Sequence, residues 1–161
     1  MCENHTDILM WSHYADCHRG ICLEFTIDPS NNDFIMKNSP DDIARDRVEY
    51  SKDDYLPEVD FSDQKTIRDG LVASVFTKSK KLTYEHEWRF NDLNGPGIHS
   101  FEPHFLTGVI LGCNCHIDEA MTKEVSSWIQ NYEQKNGVKI NKMKAEVSLD
   151  KFSLNIVPMI Q

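Results

Sequence analysis

The spacing of apolar residues near the start of the chain predicts a helix followed by a strand. Thr6, followed by Asp7, can cap a helix that runs from Ile8 to Ala15. If this helix extended for a further turn, one face would carry Trp11, Tyr14, Ala15 and His18. Apolar and polar residues then alternate over 21–27, which predicts a strand with one apolar face formed by Ile21, Leu23, Phe25 and Ile27.

The middle of the chain has a weaker pattern. Residues 29–62 show no sustained period, apart from a short strand candidate at 47–50. From Ser62 onwards, apolar residues at helical spacing predict a helix that continues towards Lys81. The residues from Leu82 to Phe90 then predict a strand.

The last third of the chain has the clearest pattern. The apolar run from Phe105 to Leu111 predicts a buried strand, and residues 118–136 form an amphipathic helix that ends before Gly137. Residues 138–147 and 152–157 are predicted as two closing strands. Together the elements predict an α+β fold, with two or three helices packed on a mixed, mainly antiparallel sheet.

Length and charge limit the classes of protein to consider. The 161 residues and a formal net charge of −9 predict one globular domain over 1–161, with 28–62 as an acidic irregular insertion. Residues 28–70 hold 12 acidic and 6 basic side chains, so this segment is either a solvated surface or a docking surface for a basic partner.

The same features exclude several partners and predict a location. A net negative chain argues against general nucleic-acid binding, because the phosphate backbone requires a cationic surface. No apolar run is long enough to cross a membrane, and the first residues do not resemble a secretion signal. We therefore expect a cytoplasmic protein that does not associate with membranes.

Five cysteines without a regular spacing predict reduced thiols rather than a disulfide framework. Two short groups raise the question of zinc: Cys2 with His5, and Cys113 with Cys115 and His116. Zinc-binding pairs are usually separated by two to four residues in each half of a site, and the second group has a single residue between its thiols. No metal site is predicted.

Two segments carry candidate chemistry. If 82–90 is a strand, Glu85, Glu87 and Arg89 share one face, and such a row could bind a polar ligand while one carboxylate raises the pKa of its neighbour. The other interpretation is a solvated sheet face with a Glu87–Arg89 ion pair. In the other segment, His13 lies four residues before Cys17, a spacing that a base and a nucleophile could use. The alternative is structural, because His18 or Arg19 could satisfy the free carbonyl groups at a helix end.

Four blocks in order resemble the bacterial domain-of-unknown-function family 2971: residues 10–25, Val48 with Tyr50, Lys78 with Ser79, and 84–89. The resemblance covers roughly residues 2–111, and Leu82 replaces a tryptophan expected between the lysine and the Tyr-Glu pair. Members of that family normally carry a further block before the Trp-Ser-His-Tyr segment. The resemblance therefore implies that an N-terminal block is absent, and an uncovered sheet edge would favour a homo-oligomer.

The family has no established activity, but its polar residues match here one by one. The pair Glu85 and Glu87, with His13 and Tyr50 earlier in the chain, also resembles the paired-glutamate strand of ADP-ribosyltransferases. The resemblance implies a pocket for a small nucleotide-like ligand, formed by 13–20 and 85–89. No cofactor is identified.

The expected activity is glycosyl transfer, ADP-ribosyl transfer or cleavage of NAD. Its catalytic residues would be Glu87, Glu85 and His13: Glu87 would stabilise an oxocarbenium-like centre or act as a base, and Glu85 would orient the acceptor. Lys78 and Arg89 would hold phosphates, and Trp11 or Tyr14 would stack on a base. His18 and Tyr50 complete the expected ligand-binding set. The alternative is a non-catalytic interaction or regulatory domain in which these residues form a structural polar network.

Overall fold

Three α-helices and eight strands are present among the residues that the structure describes. A computed structural model describes residues 1–27, 43–52, 59, 61–92, 96–98, 100–116 and 118–159. In chain order, the helices and strands are α1 (Ile8–Tyr14), β1 (Ile21–Phe25), β2 (Ile43–Arg47), β3 (Glu49–Ser51), α2 (Gln64–Val75), β4 (Thr77–Ser79), β5 (Trp88–Asp92), β6 (Leu106–Leu111), α3 (Glu119–Asn136), β7 (Asn141–Val147) and β8 (Leu154–Pro158). They divide into unit 1, which comprises 1–4 and 40–97, and unit 2, which comprises 5–39 and 98–161.

Unit 2 contains a four-stranded sheet in the order β1-β6-β7-β8. The pairs β1–β6 and β7–β8 are antiparallel, whereas β6 and β7 are parallel and are connected through α3. A parallel pair needs such a crossover because its connection must return along the length of the strand. The mixed, mainly antiparallel sheet with its helices confirms the predicted α+β class.

The core of unit 2 lies on both faces of this sheet. Ile110 packs with Trp11, Ala145 and Leu154 in one cluster. Its neighbour Val109 packs with residues of α3 and of the segment before β7 in a second cluster that also contains Leu106, Ile129 and Ile140. Successive residues of a strand point to opposite faces, so β6 is buried on both sides, as its apolar run predicts.

The predicted apolar face of β1 is only partly covered. Phe25 packs edge-to-face on Phe101, with ring centroids 5.1 Å apart, whereas Ile21 and Leu23 on the same face are exposed. The opposite face carries Cys22, which packs against the Trp11 cluster. The alternating pattern correctly predicted the strand. At the start of β1, however, the face that carries Cys22 is packed more deeply than the face that carries Ile21 and Leu23.

The helix at the start of unit 2 is shorter than its widest predicted extent. Asp7 caps α1, because its Oδ1 accepts hydrogen bonds from the N–H groups of Leu9 and Met10 at 2.8 and 3.1 Å. The helix ends at Tyr14, and the next turn has positive φ angles of 46°, 51° and 67° at Asp16, Cys17 and His18. The expectation that Trp11, Tyr14, Ala15 and His18 share a face was therefore wrong: Trp11 is 3% exposed and Tyr14 is 64% exposed.

Unit 1 contains two small sheets and α2. Strands β2 and β5 pair antiparallel, and β3 pairs parallel with β4. The predicted strand at 47–50 is divided at Val48 between β2 and β3. Asp63 and Thr66 form a capping box at the start of α2, which ends at Val75 instead of continuing towards Lys81, because Thr77–Ser79 forms β4.

The predicted strand at 82–90 was wrong in its first half. Lys80–Glu85 is a 3-10 helix, whose start is capped by the Ser79 hydroxyl group accepting the N–H of Lys81 at 3.2 Å. His86 follows in the left-handed region with φ 40° and ψ 54°. Regular strand geometry begins at Trp88, so the chain bends where the alternating pattern indicated continuity.

Two expectations remain predictions. Of the acidic insertion at 28–62, residues 28–42, 53–58 and 60 lie outside the described residues, while 43–51 contributes β2 and β3. The single domain over 1–161 also stays a prediction. Among the described residues, no helix combines the length and the apolar character that a membrane span requires.

Candidate functional site

Four charged residues of unit 1 lie together although they come from three different local structures. Lys78 is in β4, where it lies beside Tyr50 of β3 in the parallel register. Glu85 is the last residue of the 3-10 helix, and Arg89 is in β5. Glu87 lies between them, where its carbonyl oxygen accepts the N–H of Val48 at 2.9 Å. We call Lys78, Glu85, Glu87 and Arg89 the charged cluster.

Glu87 is the centre of the charged cluster. Its Oε1 accepts a hydrogen bond from Arg89 Nε at 2.9 Å, and its Oε2 accepts one from Arg89 Nη2 at 3.1 Å. This is the two-point geometry that a guanidinium forms with a carboxylate. The ammonium group of Lys78 lies 2.7 Å from Glu87 Oε2 and also donates to Glu85 Oε2.

Tyr50 contacts the cluster through its hydroxyl group, which accepts a hydrogen bond from the backbone N–H of Glu87 at 3.0 Å. This bond fixes the position of the Glu87 main chain immediately after the left-handed residue His86. The resemblance assigned Tyr50 to the ligand. The observed contact gives it a positioning role for Glu87.

The prediction that Glu85, Glu87 and Arg89 share one face of a strand was wrong, because Glu85 ends a 3-10 helix. The two carboxylates are nevertheless brought together. The bend at His86, rather than strand alternation, places Glu85 and Glu87 on the same ammonium group. A cation between two carboxylates opposes the mutual repulsion that would raise one of their pKa values. The expectation of a raised pKa does not hold for Glu87.

Burial by itself would raise the pKa of Glu87, but the hydrogen bonds and charges of Arg89 and Lys78 outweigh it and hold this pKa below its usual range. Burial likewise would lower the pKa of Lys78, yet the two glutamates raise it above its ordinary value. Hydrogen bonding to Glu87 raises the pKa of Arg89 further. All three groups are therefore charged at neutral pH.

The charged cluster is internally neutral but not completely enclosed. Glu85 is 3% exposed, and its carboxylate accepts a hydrogen bond from the ammonium group of Lys78. The side chains of Lys78, Glu87 and Arg89 are 18%, 21% and 25% exposed. The cluster thus has a buried end at Glu85 and a partly exposed end at Glu87 and Arg89.

The two cations retain hydrogen-bonding capacity at that exposed end. An ammonium group has three N–H donors, and the described contacts of Lys78 use two of them. A guanidinium has five, and those of Arg89 use one on Nε, one on Nη2 and one on Nη1, which donates to the carbonyl oxygen of Val75. Within the described residues, three cationic N–H groups are left for another acceptor.

A second group in unit 1 was not predicted from the sequence. Glu3 Oε1 accepts hydrogen bonds from Trp88 Nε1 at 2.6 Å and from Arg47 Nε at 2.9 Å, and the Arg47 guanidinium lies 5.5 Å from the Trp88 ring centroid. Hydrogen bonding to Trp88, and then to Arg47, holds the pKa of Glu3 below its usual range. The sequence signal for this group was the match of Trp88 to the family pattern. The spacing of residues along the chain did not connect Trp88 with Glu3.

The remaining predicted site residues lie in unit 2. Trp11 has the surroundings of a core residue: its indole N–H donates to the carbonyl oxygen of His5 at 2.7 Å. His13 and Tyr14 are exposed at the end of α1. His18 is half-buried, and its Nδ1 is a buried atom without a hydrogen-bond partner among the described residues. The predicted convergence of these residues with the charged cluster stays a prediction.

The cysteines were the other candidates for chemistry. All five are present as thiols, and four of them are half-buried while Cys17 is exposed. In the part of the chain that the structure describes, no three His, Cys, Asp or Glu side chains are grouped in a way that could hold a metal ion.

Comparisons with known proteins give one match. A search of curated proteins and a search of solved structures each found no match. A family model described as a protein of unknown function, DUF2971, matches residues 10–90, which is half of the chain and includes every residue of the charged cluster. The chain belongs to the DUF2971 family.

Proposed function

We propose that unit 1 binds a small, nucleotide-like ligand at the exposed end of the charged cluster. The observation that carries this proposal is the pair of cations, Lys78 and Arg89, which share the Glu87 carboxylate and retain N–H donors at partial exposure. Phosphate oxygens and ribose hydroxyl groups are suitable acceptors for such donors. The fixed geometry of the cluster would hold the donors in position before the ligand arrives.

The ionisation state of Glu87 supports a sharper form of the proposal. A carboxylate with a lowered pKa is a weak base but remains negative at neutral pH, so it suits electrostatic stabilisation of a cationic centre better than proton abstraction. In NAD cleavage, the bond between ribose C1′ and the nicotinamide nitrogen breaks, and neutral nicotinamide leaves. The oxygen of water or of an acceptor hydroxyl then bonds to C1′ and releases its proton to solvent.

Binding can be tested separately from turnover. Isothermal titration with ADP-ribose should give a dissociation constant that rises about tenfold in Arg89→Gln, because hydrogen bonds to a charged donor are lost. Arg68→Gln is the matched control, since Arg68 is an exposed residue of α2 in the same unit. Equal affinities in the two variants, or no binding by the unsubstituted protein, would reject the proposed site.

Turnover is tested by incubating the protein with NAD and measuring released nicotinamide. We expect Glu87→Gln to abolish release and Glu49→Gln, an exposed carboxylate of β3, to leave it unchanged. If the protein binds ADP-ribose but releases no nicotinamide, unit 1 is a binding domain without this activity.

The alternative function is a non-catalytic interaction or regulatory domain, and a specific observation favours it as well. Three hydrogen bonds already engage both oxygens of Glu87, and Glu85 is buried against Lys78. A neutral network of this kind can hold β4, the 3-10 helix and β5 together without any ligand. On this alternative, substitutions in the cluster would lower stability while no nucleotide binds.

We also propose a cytoplasmic location and self-association. Cysteines in the thiol form are typical of a reducing compartment, which supports the cytoplasmic location. The second is supported by β1, which pairs with β6 on one side, has no other strand partner in the described parts of the chain, and exposes Ile21 and Leu23. Sedimentation analysis of the protein and of Leu23→Lys tests it: a monomer in both cases would contradict the proposed oligomer.

A further inference from the structure

We propose that unit 2 holds a second ligand site, which takes a small organic anion with a short apolar group. The site is a cavity of about 520 Å³ on the sheet side that α3 covers. Its lining residues are Leu111, Cys115, His116, Asp118, Thr122, Lys144 and Met159. This site is distinct from the charged cluster, and it uses the Cys115-His116 segment that the function proposed above leaves unassigned.

The topology of unit 2 places the cavity where α/β units commonly bind ligands. Leu111 is the last residue of β6, Lys144 is its partner in the parallel strand β7, and Asp118 caps the helix that connects the two strands. Side chains at the carboxyl end of a parallel strand and at the start of the following helix converge on one crevice. The volume lies in the range of small-molecule pockets.

The wall that carries Cys115 is firmly held. The N–H of Gly112 donates to the carbonyl oxygen of Gly20 at 3.0 Å, and the N–H of Asn114 donates to that of His18 at 3.0 Å. The N–H of Cys115 closes a turn onto the carbonyl oxygen of Gly112, also at 3.0 Å. These bonds fix the segment against the left-handed turn at 16–18, so the cavity has a formed wall before any ligand binds.

The charges of the lining residues indicate the sign of the ligand. Asp118 Oδ1 accepts the N–H of Met121 at 2.8 Å, so its negative charge is engaged by the positive end of α3. Lys144, which is half-buried, has no ion-pair partner among the described residues. A partly buried ammonium group without a counter-charge favours an anion. Leu111 and Met159 supply an apolar surface for the remainder of the ligand.

Alkylation of Cys115 tests the site directly. The thiolate sulfur attacks the methylene carbon of iodoacetate or of iodoacetamide, forming an S–C bond and releasing iodide. The two reagents differ in charge, so the ratio of their rate constants reports the attraction of Lys144 for an anion and cancels any change in the thiolate fraction. The rates are followed at Cys115 and at Cys2 by peptide mass spectrometry.

We expect Lys144→Gln to lower the ratio of the iodoacetate to the iodoacetamide rate constant at Cys115 about fivefold. A reduction of this size corresponds to the loss of one attractive charge at short range in water. Lys144→Arg should preserve the ratio. Lys135→Gln is the matched control, because it removes an equal charge from the last turn of α3. The ratio at Cys2, in unit 1, should not change in any variant.

Butyrate provides a second measurement on the unsubstituted protein. It combines a carboxylate with a short apolar chain, and it should slow alkylation of Cys115 by iodoacetamide without protecting Cys2. Two results would each overturn the proposal: an unchanged ratio in Lys144→Gln, or undiminished alkylation of Cys115 in the presence of butyrate. Neither result depends on the charged cluster, so the function proposed for unit 1 stands or fails separately.

Discussion

The ammonium group of Lys78 lies 2.7 Å from the carboxylate of Glu87 and at the same time donates to Glu85, so one cation serves two acidic side chains. This cation opposes the repulsion between the two glutamate charges. The arrangement makes Lys78 the residue on which the charged cluster depends most.

Replacing Lys78 should therefore destabilise the protein strongly. In Lys78→Met, the buried Glu85 and the half-buried Glu87 would both lose the ammonium group that they share, and we expect the free energy of unfolding to fall by about 3 kcal/mol. Lys80→Met is the control, because Lys80 is exposed in the adjacent 3-10 helix and should change stability by less than about 0.5 kcal/mol. Urea unfolding of both variants measures the difference. Equal losses would show that the Lys78–Glu85 pair contributes nothing specific.

The charged cluster also predicts a dependence of stability on pH. The pKa of Glu87 in the folded protein lies below its unfolded value of 4.5, so its contribution is complete above pH 4.5 and is lost as the pH falls through the folded value. The stability difference between the unsubstituted protein and Glu87→Gln should hence be constant near neutral pH and shrink below pH 4.5. Urea midpoints at a series of pH values test this.

The contribution of Lys78 to stability depends on pH in the opposite direction. Its pKa is raised above 10.5 in the folded protein, so its contribution is complete below pH 10.5 and is lost only as the pH rises further. Between these limits both Glu87 and Lys78 stay ionised. If the difference in unfolding free energy between the unsubstituted protein and Glu87→Gln varied between pH 6 and 8, Glu87 and Lys78 would not both be ionised throughout that range.

Trp11 should behave as a core residue. Trp11→Phe removes the indole N–H that bonds the His5 carbonyl group, and we expect a loss of about 1–3 kcal/mol in unfolding free energy. Trp128→Phe is the matched control, because Trp128 on α3 is exposed and its ring stacks on Tyr132. A smaller loss for Trp11→Phe than for the control would favour a surface role such as base stacking.

Gly112 should tolerate no side chain. A Cβ at this position would lie 2.0 Å from the backbone carbonyl oxygen of His18, which cannot move without displacing the left-handed turn. We expect Gly112→Ala to cost about 3 kcal/mol or more. Gly137→Ala is the comparison: its φ is +66° but its Cβ would meet no atom within 4 Å, so the cost should be about 1 kcal/mol. Thermal unfolding distinguishes the two.

The sequence predicted best the elements that are regular over many residues. Helix α3 has a capping aspartate, a periodic apolar stripe and a C-terminal glycine with φ 66°, and each signal acts locally. The strand β6 is similar, since an apolar run bounded by a glycine indicates burial on both faces. Such signals do not depend on the rest of the fold.

The candidate site was harder to predict because its geometry depends on one backbone residue. The alternation at 84–90 is genuine, but His86 adopts a left-handed conformation that a pattern of side chains does not reveal. Glu85, Glu87 and Arg89 nevertheless lie close together, since the chain keeps them near one another in either conformation, whereas Lys78 was grouped with them only through the family resemblance. The partnership of Glu3 with Trp88 had no local signal, as more than eighty residues separate the two.

The pairing of β1 with β6 contains one irregular step: Glu24 lies opposite Gly108 and the next residue, Phe25, lies opposite Leu106. Thr107 is therefore the additional residue, and it turns Leu106 to the side of the sheet that also carries Val109. Removing Thr107 would join Leu106 to Gly108 in an uninterrupted strand. Leu106 would still pair with Phe25 and Gly108 with Glu24, and each residue would keep its side of the sheet. The gene could thus lose this codon without exchanging the inside and the outside of the sheet, whereas loss of Val109 or Ile110 would reverse them.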